Sequence, residues 1–194
     1  PYAHGQVIDV HSIYQNDLIH LNGKFTIMHS TENAPQVRVN YWSKALKRTS
    51  GKRLIALHWQ GNPRFERSIY SQGRSMPLEA LSALGDVKDI EFLCIQKGEA
   101  AKEIEKQSTI PWVEGQQEFS QTMDFQDTAA ALTCCDLLIS ADSAVVHLAG
   151  ALGIPTWVAL TKVPEWRWGM NGERTNWYKK ARLFRQIDSN NWDS

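Results

Sequence analysis

One stretch, residues 136–157, limits the architectures open to this chain more than any other. Leu137-Leu138-Ile139 is a short apolar run of the kind found in a parallel strand covered on both faces. Asp142 and Ser143 stand where a helix begins, and either side chain can cap exposed backbone N–H groups. Helical spacing continues through Val145, Val146, Leu148, Ala149 and Leu152. Gly153 suits the left-handed residue that closes a helix, and Pro155 forbids continuation. Thr156 to Leu160 reads as the next strand. The unit is β-α-β, and its helix starts at the carboxyl end of a strand. Free N–H donors and the helix dipole there favour an anion, which is why phosphorylated ligands bind at such places in open parallel sheets.

The same alternation extends on both sides. Segments 54–59 and 90–96 read as strands, 110–113 as a short edge strand and 181–185 as a last strand. Helical segments are expected at 34–47, 77–84, 99–106 and 127–135, the last with Asp127 at or near its N-cap. Residues 60–75 form a long polar loop. Strands and helices at this spacing imply an α/β, Rossmann-like parallel sheet with helices on both faces. Residues 1–49 read as an incomplete amino-terminal segment and linker helix. Their short strands at 7–10 and 24–28 carry too little apolar material for a core of their own. Residues 50–194 read as one domain.

Composition narrows the partners. Lysine plus arginine equals aspartate plus glutamate at 21 each, which recommends neither nucleic acid nor an anionic membrane. No apolar run reaches the roughly 20 residues that a membrane-spanning helix needs. Cys94, Cys134 and Cys135 lack metal-ligand spacing, and buried reduced thiols fit a reducing, cytoplasmic compartment. No signal peptide is recognisable, and a start at Pro1 rather than Met is expected of a fragment or a processed chain. Trp157, Trp166, Trp168, Trp177 and Trp192 all fall late, and most are expected in core or terminal packing.

Three loops follow the carboxyl ends of the expected strands and so meet on one edge of the sheet. They are Gln60-Gly61-Asn62-Pro63, running on to Arg74; Gln96-Lys97-Gly98-Glu99; and Asp142-Ser143-Ala144. Together they offer backbone donors, one or two cations and a carboxylate. That set suits a nucleoside diphosphate, with cation and helix N-terminus on the phosphates and carboxylate on the ribose hydroxyls. His147, four residues beyond Ser143, shares that helix face. Each residue also has a plainer use. Asp142 and Ser143 can serve as caps, His147 as a packed histidine and Asn62-Pro63 as a turn former. Arg74 can be a solvated cation, and Arg64 or Arg67 in the same loop can take its place. Arg167 either reaches a diphosphate or stacks on a flanking indole, stacking being the stronger expectation. Asp127-Thr128 is expected to cap a helix, and Phe125 to pack in the core.

Six segments then carry a resemblance: 58–63 (His-Trp-Gln-Gly-Asn-Pro), 74–78 (Arg-Ser-Met-Pro-Leu), 125–130 (Phe-Gln-Asp-Thr-Ala-Ala), 136–153, 166–168 (Trp-Arg-Trp) and 182–186 (Arg-Leu-Phe-Arg-Gln). In this order they resemble the carboxyl-terminal domain of heptosyltransferase-like (family 9) glycosyltransferases, especially the branch fused to tetratricopeptide repeats. The resemblance spans residues 50–188. It implies a GT-B architecture in which this half binds a nucleotide-diphosphate sugar donor, while another half carries the acceptor and the catalytic base. By the same resemblance, Arg74 falls where the family has a donor-phosphate lysine. Glu99 lies near the ribose-binding glutamate, with Gln96 and Lys97 as alternatives. Asp142, Ser143 and Ala144 match the Asp-Thr-Gly/Ala turn at the phosphate helix, and His147 matches a histidine one turn on. Glu165 stands where the repeat-fused branch usually has aspartate. The implied cofactor is none, no metal is obligatory, and no Asp-x-Asp motif is present. The acceptor, saccharide or protein, and the catalytic base are not identified. About 50 residues precede the domain, far short of an acceptor-binding half, and an apolar face left open in this way encourages self-association. A non-catalytic nucleotide-sugar binding module is the competing expectation, and an unrelated Rossmann-like enzyme using another phosphorylated ligand the third.

Overall fold

The computed structural model describes residues 20–21, 25–26, 34–62, 66, 73–107, 109–122, 124–189 and 191–192. The expected strand at 7–10, and Pro63, Arg64 and Arg67, lie outside the described residues. Of 24–28, Phe25–Thr26 (β2) pairs antiparallel with His20–Leu21 (β1).

The main sheet holds Arg53–His58 (β3), Ile90–Cys94 (β4), Leu137–Ala141 (β5), Thr156–Leu160 (β6) and Ala181–Arg185 (β7). All neighbours run parallel, in the order β4-β3-β5-β6-β7. Strand order reverses between β3 and β5, the topological switch point where open sheets of this kind bind ligands. Burial on both sides explains the apolar runs. Leu54, Ala56 and Leu138 face a core shared with the helices Ala34–Ala45 (α1), Gln116–Ser120 (α2), Phe125–Thr133 (α3) and Ala144–Ala151 (α4). Ile55, Leu57, Ile139 and Ala141 face the other layer, built on the 3-10 helices Leu78–Asp86 and Glu99–Glu105. A third cluster joins Val146 of α4 and Val158, Leu160 and Leu183 of the sheet to Trp168 and Tyr178 from the β6–β7 crossover.

The helix expected as a linker is packed on this core, with Trp42 and Leu46 only 2% and 1% exposed. Asp127 bolts it down: its carboxylate accepts the Trp42 indole N–H at 3.0 Å and pairs with Arg38 at 2.8 Å. The N-cap of α3 is therefore Asp124, which accepts the Gln126 N–H at 2.8 Å, and not Asp127 as the sequence suggested. Phe125 packs on the core as expected. The segments 77–84 and 99–106 wind as 3-10 rather than α, and 110–113 contributes a single parallel bridge, Phe92 to Trp112. The five-residue α2, too short and polar to show a periodic signal, was not expected.

Trp42, Trp59 and Trp168 are buried, whereas Trp157 and Trp166 are 39% and 66% exposed. Trp157 and Phe184 border a groove of about 280 Å³ on the 3-10 face, between Met76, Leu81, Leu84 and Trp192. Cys94 and Cys135 are buried free thiols, and burial pushes the Cys94 thiol up to about 12. No helix among the described residues is long and apolar enough to cross a membrane.

Candidate functional site

The switch point sets the carboxyl ends of β3 and β5 side by side, with His58 in register with Ser140. His58 is 8% exposed. Its Nδ1 lies 3.2 Å from Ser143 Oγ and 3.4 Å from Ser140 Oγ, while the Ser140 hydroxyl donates to the Ala141 carbonyl at 2.7 Å. Burial lowers the imidazole from 6.5 to about 4, so it is neutral at pH 7.

This pairing changes what Ser143 does. Ser143 is the N-cap residue of α4, in extended conformation, yet it makes no side-chain cap hydrogen bond. A serine there ordinarily accepts from an N–H of the first turn, a bond worth about 1 kcal/mol. Its hydroxyl instead meets the imidazole, and the first turn of α4 opens at the carboxyl end of β5 without a cap from its own serine. Ala144, the first helical residue, is exposed. Beside it, the buried Asp142 carboxylate, 6% exposed, lies 3.7 Å from Arg74 Nη1, and the arginine side chain keeps 30% exposure. The loop after β3 and the turn after β5 thus come together.

Other expected residues are engaged elsewhere. Gln96 is buried, and its Oε1 accepts the N–H groups of Trp59 and Gln60 at 3.1 and 2.9 Å. Its Nε2 donates to the carbonyls of Gln60 and Lys97 at 3.0 and 3.3 Å. Gln96 therefore ties the ends of β3 and β4 together and shapes the loop. Lys97 turns to the C-terminal end of α2, donating to the Phe119 carbonyl at 2.9 Å and to Thr122 Oγ1 at 3.3 Å, and burial lowers its pKa. Glu99 is open to solvent and pairs with Lys102 at 2.9 Å. Asn62 is exposed, and its carbonyl accepts the N–H of Glu66, four residues on, at 3.4 Å; Glu66 is helical, where the sequence suggested loop.

His147 is held in an aromatic bracket. Its Nδ1 lies 2.8 Å from the Tyr178 hydroxyl, and its ring stacks on Trp168 at 5.6 Å and 8°. Burial, and then the nearby Arg167, lower it from 6.5 to about 4. Arg167 itself stacks on Trp166 at 5.5 Å and pairs with Glu165 at 3.2 Å, as the stacking expectation had it. Sequence reasoning passed over His58. The available signal was a polar residue closing the buried run 54–57 next to the reversal of strand order.

A helix start without a side-chain cap from its own serine, an arginine beside a buried carboxylate and a neutral imidazole meeting a hydroxyl thus lie together at the switch point. Helix N-termini and guanidinium groups are in general good oxyanion donors. Among the described residues, no group of three or more His, Cys, Asp or Glu could hold a metal ion.

The crystal structure of the glycosyl transferase family 9 from Veillonella parvula DSM 2008 has a similar fold, with a TM-score of 0.56 and 17% identity over 79% of this chain and 40% of that one. The present chain spans about two fifths of that protein's length. A variant of the wall teichoic acid polymerase TagF has a TM-score of 0.38 at 16% identity, over 64% of this chain and 29% of that one. No family model and no curated protein matches the sequence. At such identity the first likeness shows the fold alone. This is an α/β, Rossmann-like domain of the kind found in glycosyltransferases.

Proposed function

We propose that this chain is the nucleotide-sugar donor-binding domain of a GT-B glycosyltransferase of the family 9 type, from the branch fused to tetratricopeptide repeats. In this reading the diphosphate sits over the switch point, between Arg74 and the first turn of α4. The approach of Arg74 to Asp142, beside a helix start that its own serine leaves uncapped, is the observation that carries it. Asp142 orients the guanidinium, and the open 3.7 Å spacing leaves guanidinium donors for phosphate oxygens. Glu99, solvent-exposed beside Lys102, is the carboxylate assigned to the ribose hydroxyls.

The chemistry is electrostatic. As the glycosidic bond to the donor phosphate breaks, charge develops on the leaving nucleoside diphosphate, and donors fixed before the reaction stabilise it. The acceptor and the group that takes its proton belong to another part of the enzyme. A cytoplasmic setting fits both the free thiols and the donor.

Calorimetric titration of this chain with ADP, UDP and GDP tests the proposal. One of the three should bind, and Arg74→Ala should weaken that binding at least about tenfold, the size of a lost charged hydrogen bond. Binding to none of them, or binding indifferent to Arg74, would sink the donor reading. Binding by a full-length protein that transfers and hydrolyses nothing would instead favour the non-catalytic module.

A further inference from the structure

The residue that follows Arg74 is a junction of four chain segments. Ser75 Oγ accepts the Gly61 N–H at 3.0 Å and donates to the Glu66 carboxylate. A Cβ built on Gly61 would lie 3.1 Å from Glu66 Oε1, so glycine lets that carboxylate close in. The next N–H, that of Met76, donates to the Trp59 carbonyl at 2.9 Å, fastening the segment to the end of β3. The Ser75 carbonyl accepts the Trp192 indole N–H at 3.1 Å, across 117 residues of chain. The Trp192 ring packs with Met76 in the layer under the 3-10 helix Leu78–Asp86. Arg74, by contrast, is 30% exposed and among the described residues pairs with Asp142 at 3.7 Å, so its reach depends on where Ser75 is held.

We infer that Trp192 is a positioning residue of the diphosphate site: its indole N–H fixes the Ser75 peptide and thereby aims the Arg74 guanidinium at Asp142 and the start of α4. The inference rests on the donor-binding reading of Arg74. It assigns the segment after β7 to the site.

Trp192→Phe removes the N–H and keeps an aromatic ring in place, which separates the hydrogen bond from the packing. Binding of inorganic pyrophosphate and of whichever diphosphate the parent protein takes is measured by calorimetry for the parent, Trp192→Phe, Arg74→Ala and the double variant. The expected result is about a three- to tenfold loss for Trp192→Phe, the size of one hydrogen bond, and no further loss when Trp192→Phe is added to Arg74→Ala. Coupling of that kind is not produced by a general loosening of the fold, which weakens both backgrounds alike. Equal losses in both backgrounds, or an unchanged affinity for Trp192→Phe beside a parent that binds, overturn the inference and leave the donor reading intact. A parent that binds no diphosphate overturns the donor reading, and the inference with it.

Discussion

His58 and His147 show how far an imidazole's behaviour depends on its surroundings. Both are lowered from 6.5 to about 4, chiefly by burial. The unfolded chain takes up a proton at each as the pH drops through 6.5, whereas the folded chain resists until about 4. Between those values the unfolded state holds more protons, so acid favours unfolding. Stability from these groups is complete above pH 6.5 and is lost as the pH falls towards 4, by about 2 kcal/mol each at pH 4.5. Urea titrations from pH 7 to 4.5 should show this decline, and His58→Phe or His147→Phe should flatten it. A slope that neither substitution changes would mean the imidazoles are not shielded as described.

The helix α4 treats its two ends differently within eight residues. Its start is left uncapped by its own serine, while its end is closed twice over. Ile154 N–H donates to the Ala149 carbonyl at 2.9 Å and Gly153 N–H to the Gly150 carbonyl at 3.1 Å, with Gly153 at φ 66°. Gly150 looks like a weakness, since alanine is the better helix former by up to about 1 kcal/mol. Yet a Cβ at Gly150 would lie 2.3 Å from Tyr178 Cδ1, inside the ring that also holds His147. Overpacking of this kind costs about 1–3 kcal/mol, so the clash outweighs the propensity. Thermal unfolding should place Gly150→Ala below the parent, with the deficit shrinking in a Tyr178→Ala background. A Gly150→Ala protein more stable than its parent would contradict the packing.

At the scale of the whole molecule, α1 belongs to the packed core. Trp42 is 2% exposed, stacks edge-on against Phe119 at 5.2 Å and donates to Asp127. It is thus part of the core beneath β3 and β5 rather than a tether to it. Trp42→Ala should destabilise the protein by about 3–5 kcal/mol in urea. A shortened version starting at residue 50 should lose cooperative unfolding, because it uncovers the face on which α1 lies. Should that shorter chain unfold with the parent's midpoint, α1 would be a separable linker after all.

The strands were legible along the chain because apolar runs and their punctuation are local. Residues 156–160 and 181–185 coincide with β6 and β7, and 54–59 and 137–139 differ from β3 and β5 only at their ends. Legible too was the approach of Arg74 to Asp142, since parallel strands deliver every following loop to one edge. What each polar side chain does there was decided by partners far away in sequence. Gln96 is claimed by backbone 36 and 37 residues off, Lys97 by a carbonyl 22 residues on, and Ser143 by a histidine 85 residues back. A hydrogen bond recognises distance and direction in space and carries no trace in local periodicity. Residue order by itself therefore determined the sheet and the edge where a ligand would meet it. Only the packed structure decided which of these polar side chains are taken up by distant partners and so hold the loops in place.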